Sequence, residues 1–155
     1  MHITRFTDYA IRVLIYLAVK KNELSTISEI AESYAISKNH LMKIVQELNL
    51  RGYLLATRGK NGGIKLISDA EEINIGKLIR ELEGETKLVE CFGSNNQCVI
   101  TPTCQLKEMF SKAMESFFAT LDEYTLADLV GQTNRPELAK LLSIKVSETK
   151  QETTV

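Results

Sequence analysis

No apolar run in the 155-residue sequence is long enough to span a bilayer, which argues against a membrane helix. Residues 1–8 lack the charged-then-apolar layout of a signal peptide, so a cytoplasmic location is expected. Cysteine is scarce: Cys91, Cys98 and Cys104 are the whole complement, all within one Gly/Asn/Pro-bearing stretch. An odd count in an ordinary cytosolic composition argues against a disulfide framework. The closely spaced Cys pair of a zinc knuckle is missing. So are a nucleophile–base set and a cofactor loop, and no enzyme is expected. What remains is 44% hydrophobic and 25% charged, ordinary for a soluble protein with one compact domain and an appended element.

Charge is unevenly spread. Residues 1–66 hold ten Lys and Arg against five Asp and Glu, a net +5. Residues 67–155 hold nine against fifteen, a net −6. A basic first part points to an anionic partner for that part alone.

Thr7 is a plausible N-cap for a first helix, with Asp8 in its positive first turn. Ile11, Leu14, Ile15, Ala18 and Val19 form its core-facing stripe, and Lys20, Lys21 and Asn22 end it. Thr26-Ile-Ser-Glu29 has the form of a capping box and opens a second helix running to about Tyr34. Ser37 caps a third, with Leu41, Ile44, Val45 and Leu48 facing inward and an end near Gly52. Two short helices joined tightly at Ala35-Ile36 make a helix-turn-helix. The second helix of that motif enters the major groove N-terminus first. Ser37, Lys38, Asn39, His40 and Lys43 are therefore the candidate contacts, rich in phosphate and base-edge donors.

Two short apolar strands follow, Tyr53–Thr57 and Ile64–Ile67, and the Asn61-Gly62 pair between them is a hairpin signal. Arg58, Gly59, Lys60 and Asn61 place two cations on a Gly-rich backbone able to approach phosphate. A hairpin after a helix-turn-helix is a wing. The expected fold class is mainly α with a small β-hairpin wing.

Asn74 caps a short helix from Ile75 to about Leu82, and the cysteine stretch follows. Its neighbours Gly93, Ser94, Asn95, Asn96 and Gln97 are loop formers, which fits poorly with cysteines buried as small hydrophobes. A disulfide with one thiol to spare, or a soft-metal site, remain as readings, and the loop setting favours the metal. Iron–sulfur clusters tolerate such gaps, but a four-iron cluster needs four ligands, so three cysteines leave one place to fill. From Thr103 to about Tyr124 comes the longest helical pattern. Leu106, Met109, Phe110, Ala113, Met114, Phe117, Phe118 and Leu121 make a stripe too wide for a small domain to cover, so a second copy is expected to share it. The expected organisation is a DNA-binding domain over 1–83, a sensor loop over 84–104, a dimerisation helix region over 105–130 and a flexible polar tail over 131–155.

Five segments carry a resemblance: Phe6-Thr-Asp-Tyr9, Ser37-Lys-Asn-His-Leu41, Arg58-Gly-Lys-Asn-Gly-Gly-Ile64, Ile100-Thr-Pro102 between Cys98 and Cys104, and Leu121-Asp-Glu-Tyr-Thr-Leu-Ala-Asp-Leu129. Together they resemble the Rrf-type winged-helix regulators, and within them the nitric-oxide-sensing iron–sulfur repressors. The resemblance implies a homodimer that binds a palindromic operator in double-stranded DNA. It implies an iron–sulfur cluster, 4Fe-4S above all with 2Fe-2S as the other form, on Cys91, Cys98 and Cys104. It further implies a fourth ligand from the other subunit, at the position of Asp8. Arg12, one turn on, would orient that carboxylate. An oxygen ligand on soft iron is weakly held, which makes that corner the entry for nitric oxide.

Two departures stand out. The gap from Cys91 to Cys98 is longer than usual in the family, and Lys107 stands where the iron–sulfur-biogenesis regulators have a histidine. The implied mechanism is operator release on nitrosylation, with the loop from Gly84 to Cys104 and the helix before it as the switching element. A thiol-redox or iron-level regulator of the same family is the rival reading, and a redox enzyme or metal carrier a more distant one.

Overall fold

The computed structural model describes residues 2–21, 23–84 and 87–145. Helix α1 (Arg5–Lys20) lies at the centre of the packing, touching the helix-turn-helix, the wing and the C-terminal helices. Its N-cap is Thr4, whose hydroxyl accepts the Thr7 amide at 3.3 Å. Thr7, the expected cap, is instead buried inside the first turn, while Asp8 keeps its first-turn place. Thr4 wins because its own amide and hydroxyl find an acceptor in Glu83, 79 positions away. The helix ends at Lys20, with Lys21 as its cap, and Asn22 lies outside the described residues. Burial extends beyond the expected stripe to Ala10, Val13, Tyr16 and Leu17. A helix apolar around most of its circumference belongs inside a core.

Helix α2 (Ile27–Tyr34) opens with the expected box: Thr26 Oγ1 accepts the Glu29 amide at 3.2 Å, and Glu29 Oε2 accepts the Thr26 amide at 2.5 Å. Ala35 turns the chain with φ 52°, and the Ile36 amide returns to the Ala31 carbonyl at 3.0 Å. Helix α3 (Lys38–Leu50) then buries Leu41, Ile44, Val45 and Leu48.

Strands β1 (Leu54–Thr57) and β2 (Gly63–Leu66) pair antiparallel from Leu54↔Leu66 to Thr57↔Gly63. Each is trimmed by a residue or shifted by one relative to the expected span. Asn61-Gly62 does not form a two-residue hairpin turn. The loop takes residues 58–62 and closes through the Gly62 amide on the Gly59 carbonyl at 3.0 Å. Gly59 has φ 113°, and a Cβ on Gly62 would lie 2.2 Å from the Thr57 carbonyl oxygen, so both glycines are required. Ser25 exchanges two backbone bonds with Ile64 and braces the wing against the body.

Helix α4 (Ile75–Glu83) is capped by Asn74, which accepts the Lys77 amide at 2.9 Å. The long helix α5 (Gln105–Asp122) starts later than expected, because residues 101–103 form a separate 3₁₀ turn. No residue of α5 is buried in this chain; Phe118 and Leu121 lean on the core, while Leu106 and Met109 are exposed. Helix α6 (Leu126–Val130) packs on α1 with Leu126 and Val130 buried, so the 105–130 region is two elements with different surroundings.

Residues 131–145 do not form the flexible tail expected there. Helix α7 (Arg135–Leu141) and the turn after it bury Ala139, Leu142 and Ile144. Arg135 donates to the Val19 carbonyl, at 2.6 Å from Nη2, and Ser33 Oγ donates to the Leu142 carbonyl at 2.8 Å. These three apolar side chains, with Leu138 packed against the core beside them, carry this docking. Residues 146–155 lie outside the described residues. Among the described residues no helix is long and apolar enough to cross a membrane.

Candidate DNA-binding face and cysteine loop

Because Leu41, Ile44, Val45 and Leu48 turn one side of α3 inward, the helical period turns Lys38, Asn39, His40 and Lys43 outward. Ser37 caps the helix, accepting the His40 amide at 3.2 Å. All five expected contacts are exposed on the N-terminal half of α3. Met42, 46% exposed, and Gln46 share that face and were not among the expected contacts. Their spacing from Asn39, three and seven residues, was the signal that could have found them. Arg58, Gly59, Lys60 and Asn61 are exposed at the wing tip. Asn49 joins the two parts: its Oδ1 accepts the Ala56 amide of β1 at 3.0 Å, fastening the wing to the end of α3.

The cysteine loop connects α4 to α5. Cys91 sits in a 3₁₀ turn (Glu90–Phe92), and Cys104 is the N-cap residue of α5, at the positive end of that helix. Cys98 lies between them in a stretch ordered by its neighbours. Asn96 Oδ1 accepts the Cys98 amide at 3.0 Å, and Asn96 Nδ2 donates to Thr101 Oγ1 at 2.8 Å. Thr101 Oγ1 donates to the Cys98 carbonyl at 2.8 Å, and Glu90 Oε1 accepts the Gln97 amide at 2.8 Å.

Cys91 and Cys104 line one shallow cavity of about 480 Å³ together with Phe92, Lys107, Glu108 and Ser111. Cys98 is exposed and is not part of its lining. Among the described residues no three His, Cys, Asp or Glu side chains are gathered closely enough to hold an ion. The structure thus brings two of the three thiols to one cavity and leaves the third outside it. The donor chemistry suits a soft iron centre, and the open cavity gives such a group room.

Asp8 is not part of that lining in its own chain. Its carboxylate is gripped by Arg12, Nε to Oδ1 at 3.2 Å and Nη2 to Oδ2 at 2.8 Å. The same guanidinium lies over the ring of Tyr9, and over that of Tyr34 on α2 at 6.0 Å. Arg12 therefore touches both the candidate ligand and the helix-turn-helix. A second cavity of about 400 Å³ continues along α5 from Phe92 to Arg80, Phe118 and Asp122.

A capped recognition helix and a wing tied to it define a winged helix-turn-helix protein. The model of the Rrf2 family, described as an iron-dependent transcriptional regulator, matches residues 3–132, and the chain belongs to that family. It is 49% identical to the HTH-type transcriptional regulator NsrR of Bacillus subtilis (strain 168) over 147 residues, 94% of this chain and 99% of the relative. With the NsrR regulator of Bacillus licheniformis it shares 50% identity over 145 residues, covering 92% of this chain and 100% of the other. Among solved structures, the oxidised form of Staphylococcus aureus CymR is 29% identical with a TM-score of 0.66, covering 83% of this chain and 95% of that one.

Proposed function

We propose that this chain is a homodimeric, nitric-oxide-responsive transcriptional repressor of the NsrR type, binding a palindromic operator while an iron–sulfur cluster is in place. The observation that carries the sensor part is the confinement of every cysteine to one loop between α4 and α5. Cys91, Cys98 and Cys104 would hold the cluster, with Asp8 of the partner subunit as the fourth ligand, in a 4Fe-4S or 2Fe-2S form. When bound, the cluster supplies iron that reacts with nitric oxide. Arg12 holds and orients the Asp8 carboxylate, and the Asn96–Thr101 bonds set the stretch that presents Cys98. The unburied length of α5 supports the dimer. Ser37, Lys38, Asn39, His40 and Lys43 would meet the major groove, and Arg58, Gly59, Lys60 and Asn61 the adjacent backbone.

The test is an anaerobic ultraviolet–visible titration with nitric oxide, operator binding read in parallel. A visible band that bleaches as binding is lost is the expected result, and Cys91→Ser, Cys98→Ser and Cys104→Ser should each remove the band. Equal operator affinity before and after nitric oxide would overturn the proposal. So would a protein that stays colourless after reconstitution, which would favour a thiol-based regulator.

A further inference from the structure

Helix α4 ends where the cysteine loop begins, and its last residue is bonded to the start of α1. Glu83 Oε1 accepts the Thr4 amide and the Thr4 hydroxyl, both at 2.9 Å. Burial pushes the Glu83 carboxyl up, but the nearby Thr7 hydroxyl and the bonds from Thr4 outweigh it and hold the group below its ordinary value. Thr4 is the N-cap of α1, and its carbonyl accepts the Asp8 amide at 3.0 Å. Glu83, Thr4 and Asp8 are therefore successive links. After Glu83, Gly84 turns the chain away with φ 64° and open space around it.

Glu83 is poorly placed for its own helix. A carboxylate at a helix C-terminus faces the negative end of the dipole, whereas the N-terminus of α1 favours it. Its position makes sense as a contact of α1, not as a stabiliser of α4. Thr4 caps α1 through the Thr7 amide, and the bonds to Glu83 hold Thr4 in that place.

We propose that Glu83 is a positioning residue: it ties the start of the cysteine loop to the turn of α1 that presents Asp8. Displacement of the loop then moves Thr4, and with it the Asp8 carboxylate. The role toward iron rests on the cluster reading above.

The test uses the full-length chain, reconstituted anaerobically, with Glu83→Ala, Glu83→Gln, Asp8→Ala and the Glu83→Ala/Asp8→Ala double variant. The readouts are the rate at which a chelator removes iron and the visible circular-dichroism signature. Glu83→Ala should lose iron about tenfold faster, the low end for loss of an outer-shell partner. Glu83→Gln should stay near wild type, since its amide oxygen accepts the same bonds. The double variant should be no faster than Asp8→Ala alone. A wild-type rate in Glu83→Ala, or effects that multiply in the double variant, would overturn the proposal. Deuterium uptake over residues 2–12 of the cluster-free protein judges the clamp by itself. Uptake should rise in Glu83→Ala and not in Glu83→Gln, and equal uptake in Glu83→Ala and wild type would remove it. A wild-type chain that takes up no iron would sink the cluster reading while leaving the exchange result to decide the clamp.

Discussion

Arg80 on α4 and Asp122 at the end of α5 meet as a forked pair, Nη1 to Oδ1 at 2.5 Å and Nη2 to Oδ2 at 2.6 Å. The guanidinium also lies 4.4 Å from the Phe118 ring centroid. Both side chains are substantially exposed, so water screens the pair and its energy is small. Its importance is geometric, because it fixes the two helices that flank the cysteine loop. The cavity beside it is lined by Phe92, the neighbour of Cys91.

Gly76 makes that junction testable. A Cβ there would lie 2.0 Å from Asp122 Oδ1 and 2.9 Å from the Asp122 amide nitrogen. The carboxylate can swing aside but the backbone cannot. Gly76→Ala should cost about 1–3 kcal/mol of stability in thermal or denaturant unfolding. Combining it with Asp122→Ala should recover only part of that, since the backbone clash remains. Simple addition of the two costs would contradict the packing described.

The tie between Asn49 and the wing should show in both stability and affinity. Asn49→Ala should cost about 1 kcal/mol of folding stability, the typical worth of one hydrogen bond, and weaken operator binding as the wing loses its fixed place. Lys60→Ala should instead lower the salt dependence of binding by about one unit of slope. Fluorescence anisotropy on an operator duplex across salt concentrations reads both binding effects, and denaturant unfolding reads the stability. Unchanged affinity in Asn49→Ala would mean the wing holds its place without that bond.

Ala35 sits in the left-handed region at the helix-turn-helix corner, with φ 52°. An alanine pays a steric cost there that glycine avoids, partly offset by the greater freedom of glycine in the unfolded chain. Ala35→Gly should therefore stabilise the protein by about 0.5–1 kcal/mol, seen as a higher denaturant midpoint, and Ala35→Val should lower that midpoint.

The Glu29 capping box carries a pH signature. Burial pushes the Glu29 carboxyl up, but bonds from the Thr26 amide and hydroxyl and the nearby Lys20 ammonium bring it below its ordinary value. A carboxyl lowered in the folded state adds stability that is present above its unfolded value, near pH 4.3, and lost as pH falls through the folded value. Glu29→Ala should cost about 1 kcal/mol at pH 7, and the gap to wild type should narrow by pH 3. A gap independent of pH would mean the charged form contributes nothing.

What local chemistry decides was legible from the chain alone. The Thr26–Glu29 box, the Ser37 and Asn74 caps and the inward period of α3 each depend on residues within a turn or two. Confinement of the cysteines to one loop is a property of the sequence itself. What depended on distant partners was not legible. Thr4 displaces Thr7 as the cap of α1 because Glu83 arrives from the end of α4. Leu142 and Ile144 find a place only once α1 and α2 have made one, and Ser33 and Arg135 then hold the chain there. Cys104 reaches the cavity of Cys91 while Cys98 stays outside, because the Asn96–Thr101 bonds hold the intervening turn. Propensity and capping act over one helical turn, so the sequence by itself determines elements and their order. Which side chains meet between elements is settled only when the shared core closes, and that was decided by the tertiary structure.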